Sequence, residues 1–179
     1  MGSACPRPLR IVTGVSTAPA DDLDPRGVDV LLVCSAGGHL LQLHLLRAAW
    51  RDHRHAWVTL EREDALSLLE DETVHYAFWP TTRHIPNLVR NTHLAWRLLR
   101  ELRPRVIVTT GAGVAVPFAW LGRLRGARVV YIESLTRIAS PSMTCRMILP
   151  VADRVYVQWP ELARVVRRSR YAGKVVDLS

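Results

Sequence analysis

Lysine is almost absent from this chain: of its 24 Lys and Arg residues only Lys174 is a lysine. Cysteine is scarce too, with Cys5, Cys34 and Cys145 odd in number and far apart. They form no CxxC pair, which excludes a cysteine zinc site and a disulfide framework and fits a reducing compartment. No internal period marks a repeat or solenoid. No uncharged stretch is comfortably long enough for a membrane span. Val30–Leu46 and Val106–Gly122 come closest, and both are broken by glycines, as expected of a strand, a turn and a helix start. The first 27 residues lack an apolar segment, so no secretory signal is expected. GxSxG, HExxH, P-loop and kinase motifs are missing, which removes those routes to catalysis.

What is there is 179 residues, 49% hydrophobic and 22% charged, enough for one domain with its own core. The formal charge is +8. Arginine forks suit phosphate oxygens, so a phosphate-bearing substrate or an anionic lipid surface fits this balance. Nucleic acid is not expected, because neither a stacking pattern nor a helix-turn-helix signal is present. Residues 1–27, rich in Pro, Gly, Asp and Ser, read as a tail. The Asp22-Leu23-Asp24 triplet within it lacks the flanking strand that a metal-binding DxD motif needs.

From residue 28 onward apolar runs alternate with helical patterns. Strands are expected at 28–34, 56–60, 74–79, 106–110, 128–132 and 154–158, with a short last one at 175–176. Helices are expected at 40–51, 61–70, 87–102, 114–125, about 141–149 and 161–168. This alternation predicts an α/β fold with a doubly wound parallel sheet spanning 28–179. Such sheets place their sites beyond the carboxyl ends of the strands.

Five segments fall there. Ser35-Ala36-Gly37-Gly38-His39 follows the first strand. Gly37 and Gly38 allow backbone N–H groups to approach an anion at a helix start, and a neutral His39 there can accept a proton. Thr109-Thr110-Gly111-Ala112-Gly113 follows the fourth strand and resembles the opening of a dinucleotide fingerprint. Val116 takes the third glycine's place, and Glu133 stands where a ribose-binding acid belongs. That keeps a nucleotide-binding oxidoreductase domain as an alternative. Glu133 and Ser134, with Arg137 and several hydroxyls following, offer a second base or sugar-hydroxyl acceptor; Ser140 before Pro141 also fits a helix cap. The 81–87 loop brings Arg83 and His84 as phosphate contacts. Trp159 after the sixth strand is expected in the core.

Taken in order, SAGGHLLQL at Ser35–Leu43, the Asn87–Arg103 helix, TTGAGVAVPF at Thr109–Phe118, YIES at Tyr131–Ser134, ADRVYVQWPEL at Ala152–Leu162 and YAG at Tyr171–Gly173 form a specific series. It resembles the asparagine-linked glycosylation protein 14 family and its bacterial exopolysaccharide counterparts. More distantly it is similar to the N-terminal half of the peptidoglycan N-acetylglucosaminyltransferase. The resemblance implies a Rossmann-like half of a GT-B glycosyltransferase, with a separate UDP-sugar-binding subunit supplying the other half. It implies a lipid-linked saccharide acceptor on a polyprenyl or dolichyl diphosphate. The transferred sugar would be N-acetylglucosamine, glucuronic acid or galactose, moved with inversion. It implies no cofactor or metal, and a cytoplasmic chain peripheral to the membrane. On that reading His39 is the first candidate base and Glu133 the second. Ser35, Gly37, Gly38, Thr110, Gly111, Gly113 and Ser134 then line the acceptor or its phosphates. Arg83, Arg90 and Arg137 face lipid phosphate, and the 40–50 and 88–102 helices reach the bilayer through Trp50 or Trp96. Two departures stand out. Thr144-Cys145-Arg146 replaces a Gly-Lys pair common in the family, and the N-terminal membrane helix of eukaryotic members is not evident, which favours a bacterial-type member.

Overall fold

The computed structural model describes residues 27–81 and 84–176. Seven strands make one all-parallel sheet: β1 (Val30–Val33), β2 (His55–Leu60), β3 (Val74–Ala77), β4 (Val106–Thr109), β5 (Arg128–Ile132), β6 (Arg154–Val157) and β7 (Ser169–Tyr171). The strand order is β3-β2-β1-β4-β5-β6-β7. Among the described residues six α-helices connect them: α1 (Gly38–Leu45), α2 (Glu63–Leu68), α3 (Ile85–Leu102), α4 (Ala115–Leu124), α5 (Met143–Ile148) and α6 (Pro160–Val165), with a short 3-10 helix at Arg47–Ala49. Residues 1–27 and the DxD triplet fall almost wholly outside the described residues, as does Arg83.

The period of two along each strand sorts the core into two layers. In β1, Leu31 and Val33 face a larger cluster with Leu94 and Leu98 of α3, Phe118 of α4, Ile148 of α5 and Leu162 of α6. Val30, Leu32 and Cys34 face the other side, against Leu40 and Leu43 of α1, Ala65 of α2, and Trp50 and Trp57. Thus α1 and α2 cover one face and α3 to α6 the other. Both faces of the sheet are buried, which is why its strands read as near-continuous apolar runs.

Two expectations need correction. The last strand is Ser169–Tyr171, pairing with β6, not 175–176. Helix α6 stops at Val165, and Arg168 at φ 67 turns the chain back early. Val175 is held instead by a hydrogen bond from its N–H to the Gln158 side chain. Trp50 is no bilayer anchor: it is 2% exposed, meets Trp57 edge-on at 5.2 Å, and donates its indole N–H to Leu43 O.

Candidate active-site cleft

The central strands β1 and β4 lie side by side, yet their following loops lead to helices on opposite faces. The chain parts there, and a crevice opens at the carboxyl edge. This cleft measures about 750 Å³, and its lining includes Ser35, Gly37, His39, Arg62, Asp64, Trp79, Thr81, Gly113 and Thr144.

His39 sits half-buried in the first turn of α1. Its Nδ1 lies 2.7 Å from Thr110 O, across the parting of β1 and β4. A carbonyl can only accept, so Nδ1 carries a proton, and whenever the ring is neutral its lone pair is on Nε2. Thr110 returns the contact, its hydroxyl donating to His39 O at 2.8 Å. The two loops thus lock each other, and the imidazole is held in one tautomer and orientation.

The second loop owes its path to glycine. Gly111 has φ 104, and its N–H donates to the Thr109 hydroxyl at 2.9 Å. At Gly113 an added Cβ would come within 2.6 Å of Thr81 O, so only glycine lets this turn press against the loop after β3.

Glu133 is placed differently from expectation. It is 0% exposed and does not line the cleft. Its Oε1 accepts from Ser134 N at 2.9 Å and from Tyr131 OH at 3.1 Å, and its Oε2 from Ser142 N at 2.9 Å. The carboxylate therefore braces the 133–142 loop beneath the surface. A ribose-binding acid must reach a ligand's hydroxyls, so the dinucleotide alternative, which rested on Gly111, Gly113 and Glu133, loses its acid. Burial pushes the Tyr131 hydroxyl well above its ordinary range, with the Glu133 charge adding to the effect. The Cys145 thiol is pushed up to about 12 by burial and then by the same charge. Gln42 and Gln158, both buried, donate to Glu133 O at 3.3 and 2.9 Å. Ser142, rather than Ser140, caps α5, accepting from Cys145 N at 3.0 Å.

Among the remaining expected residues, Ser35, Gly37 and Gly113 line the cleft with His39. Gly38 is exposed beside them, while Thr110 and Gly111 are buried behind His39. Ser134 and Arg137 belong to the adjoining loop, where the Ser134 hydroxyl meets Thr136 Oγ1 at 3.0 Å. The cleft arginine among the described residues is Arg62, lying over the Trp79 ring. Asp64, whose carboxylate accepts from Gly37 N, was equally unforeseen. Both stand just past β2, a position that the carboxyl-edge rule alone would have marked. Trp159 is partly buried, donating to Leu135 O at 2.6 Å with the Lys174 ammonium 4.1 Å over its ring. No three His, Cys, Asp or Glu side chains group to hold a metal among the described residues. No helix among them is long and apolar enough to cross a membrane.

The fold is shared with Acinetobacter baumannii MurG, at a TM-score of 0.66 and 18% identity over 80% of this chain and 45% of that one. It is also shared with a Rickettsia bellii UDP-N-acetylglucosamine 2-epimerase, at a TM-score of 0.61 and 13% identity over 82% of this chain and 44% of that one. The architecture is one half of a GT-B molecule. Curated relatives carry the name UDP-N-acetylglucosamine transferase subunit ALG14. The one from Eremothecium gossypii is 44% identical over 104 residues, 51% of this chain and 46% of that protein. The one from Debaryomyces hansenii is 28% identical over 91% of this chain and 82% of that protein. The human one is 28% identical over 55% of this chain and 47% of that protein. The chain thus spans about half the length of several of the relatives it matches. Residues 72–175 match the family described as oligosaccharide biosynthesis protein Alg14 like, and the chain belongs to that family.

Proposed function

We propose that this chain is the acceptor-binding and membrane-recruiting subunit of a two-chain glycosyltransferase. Its substrates are a UDP-sugar, held by a partner subunit, and a saccharide linked to a polyprenyl or dolichyl diphosphate. The observation that carries the proposal is the His39–Thr110 lock: a cleft-lining histidine with Nδ1 occupied by a carbonyl and Nε2 left for a substrate proton.

In this mechanism the acceptor hydroxyl gives its proton to His39 Nε2 as its oxygen attacks the anomeric carbon. The bond to UDP breaks on the opposite face, UDP leaves with the electron pair, and the configuration inverts. Stabilisation of the leaving diphosphate falls to the partner's domain. Arg62 holds the acceptor's phosphates, the Gly37 N–H being taken by Asp64, and Thr110 keeps the imidazole aimed. Glu133 acts one layer back, fixing the 133–142 loop. The names of the relatives, the GT-B half-fold and the surplus of arginine all support this reading. A cytoplasmic chain peripheral to the membrane follows from it.

Co-expression with a donor-binding chain tests it. The pair should co-purify and transfer sugar to a lipid-linked acceptor, and the single chain should not. Tight binding and unaided turnover of UDP-sugar by the single chain would refute the proposal.

A further inference from the structure

Opposite the cleft, at the amino end of the sheet, a second recess of about 830 Å³ opens between the last turns of α3 and α4. Its lining includes Trp96, Arg97, Arg100, Glu101, Arg103 and Arg125. Arg97 and Arg100 are three apart on α3 and so share a face. Arg125 ends α4 and lays its guanidinium 5.3 Å from the centre of the half-exposed Trp96 ring.

Basic residues at helix ends ordinarily offset the dipole, about half a negative charge per C-terminus. Two such ends and Glu101 amount to about two negative charges. Arg97, Arg100 and Arg125 bring three positive ones, so a surplus of about one remains with Arg103 set aside. Arg51 pairs with Asp52, Arg54 with Asp29 and Arg123 with Asp153. None engages the three arginines of the recess. Planar guanidinium forks around an indole floor match the oxygens of a phosphate group.

We infer that this recess binds a phosphate-bearing anion, a phosphodiester or phosphate monoester, at a site separate from the cleft. The inference does not depend on the glycosyl-transfer reading, because the recess lies at the other end of the sheet from His39. The same chemistry comes from a lipid headgroup or from a soluble phosphate, and two arms separate them. One arm titrates the full chain with inorganic phosphate. The other measures sedimentation with phosphatidylcholine vesicles containing or lacking phosphatidylglycerol.

The triple variant R97Q/R100Q/R125Q should lose about fivefold per arginine, about 100-fold in all, in whichever arm the native chain binds. The triple lysine variant, keeping charge without the fork, should bind within about tenfold of native. Binding to phosphatidylglycerol vesicles alone assigns a headgroup; binding to inorganic phosphate assigns a soluble ligand. A folded glutamine triple that binds like the native chain overturns the inference, as does absence of native binding in both arms. If the glutamine triple does not fold, the exposed single variants R97Q and R100Q decide, and no loss in either overturns the inference.

Discussion

Replacing Glu133 by glutamine separates a braced loop from a catalytic carboxylate. The native carboxylate receives three hydrogen bonds, from Ser134 N, Tyr131 OH and Ser142 N, with no exposure to solvent. Glutamine has nearly the same shape but must turn an NH2 toward one oxygen position. The cheaper orientation keeps the carbonyl on Ser134 N and Tyr131 OH, so the amide nitrogen meets the N–H of Ser142. Donor then faces donor in a buried place. A bond to a charged group is worth about 1.5–3 kcal/mol, and an orphaned buried donor costs about 1–3 kcal/mol. The two overlap, and a loss of about 2–3 kcal/mol is expected. For a domain of this size the melting temperature should fall by about 4–12 °C.

The assay is paired denaturant and thermal unfolding of E133Q beside the native chain, with sugar transfer by the reconstituted pair measured alongside. The denaturation midpoint should shift at unchanged slope, as for a change in stability without a change in exposed surface. Activity measured well below the melting point should fall far less than for a missing base. A variant that melts within a degree of native while transfer drops about 100-fold would refute the reasoning. It would place the carboxylate in contact with substrate.

His39→Ala should cost about 10²–10⁴ in transfer rate with the melting temperature little changed, and a drop below threefold would remove His39 as the base. Gly113→Ala forces the Thr81 carbonyl away from a 2.6 Å approach; a loss of about 1–3 kcal/mol in denaturant unfolding is expected. His75 in β3 is held below its ordinary pKa, chiefly by burial, and its Nε2 has no partner. The neutral form is thus favoured on folding. Stability from this group is complete above about pH 6.5 and is lost as pH falls through the folded value. His75→Phe should flatten the decline in unfolding free energy between neutral and mildly acidic pH, and an unchanged slope would count against the assignment. Burial pushes the Cys34 thiol up to about 12, as it does Cys145. In a Cys5→Ser variant neither thiol should react with a disulfide reagent at pH 8 until denaturant is added, and rapid native labelling would contradict that.

The alternation of strands and helices was legible because a sheet buried on both faces writes its strands as unbroken apolar runs. Val30–Val33 and Arg128–Ile132 announce themselves this way. Strand β7 does not: Ser169, Arg170 and Tyr171 are polar and largely exposed, as suits an edge strand, and the apolar pair at 175–176 drew attention instead. The helix patterns gave a buried face without saying which large residue would fill it. Trp50, with its indole N–H satisfied internally by Leu43 O, looked the same in sequence as the 44%-exposed Trp96.

The site divides along the same line. Glycines and a histidine just past a strand carry their geometry locally, so Gly37, Gly113 and His39 could be placed from spacing alone. Glu133 carried an ambiguity that spacing cannot lift. A strand-end acid can point into the crevice or back beneath the loop, and only the converging N–H groups of Ser134 and Ser142 decide. Asp64 and Arg62 come from the neighbouring strand on the same side of the sheet's parting, more than 20 residues from the glycine turn. Their approach depends on β2 lying beside β1 in register, Val33 against Val58. His39 itself gains meaning only through Thr110, 71 residues away, since the carbonyl that fixes its tautomer belongs to the loop after β4. The chemistry proposed for this chain thus rests on the pairing of β1 with β4. A change at that seam, such as Thr110→Val, which removes the hydroxyl donating to His39 O, should lower transfer by the reconstituted pair even where His39 is untouched, and unchanged transfer would count against it.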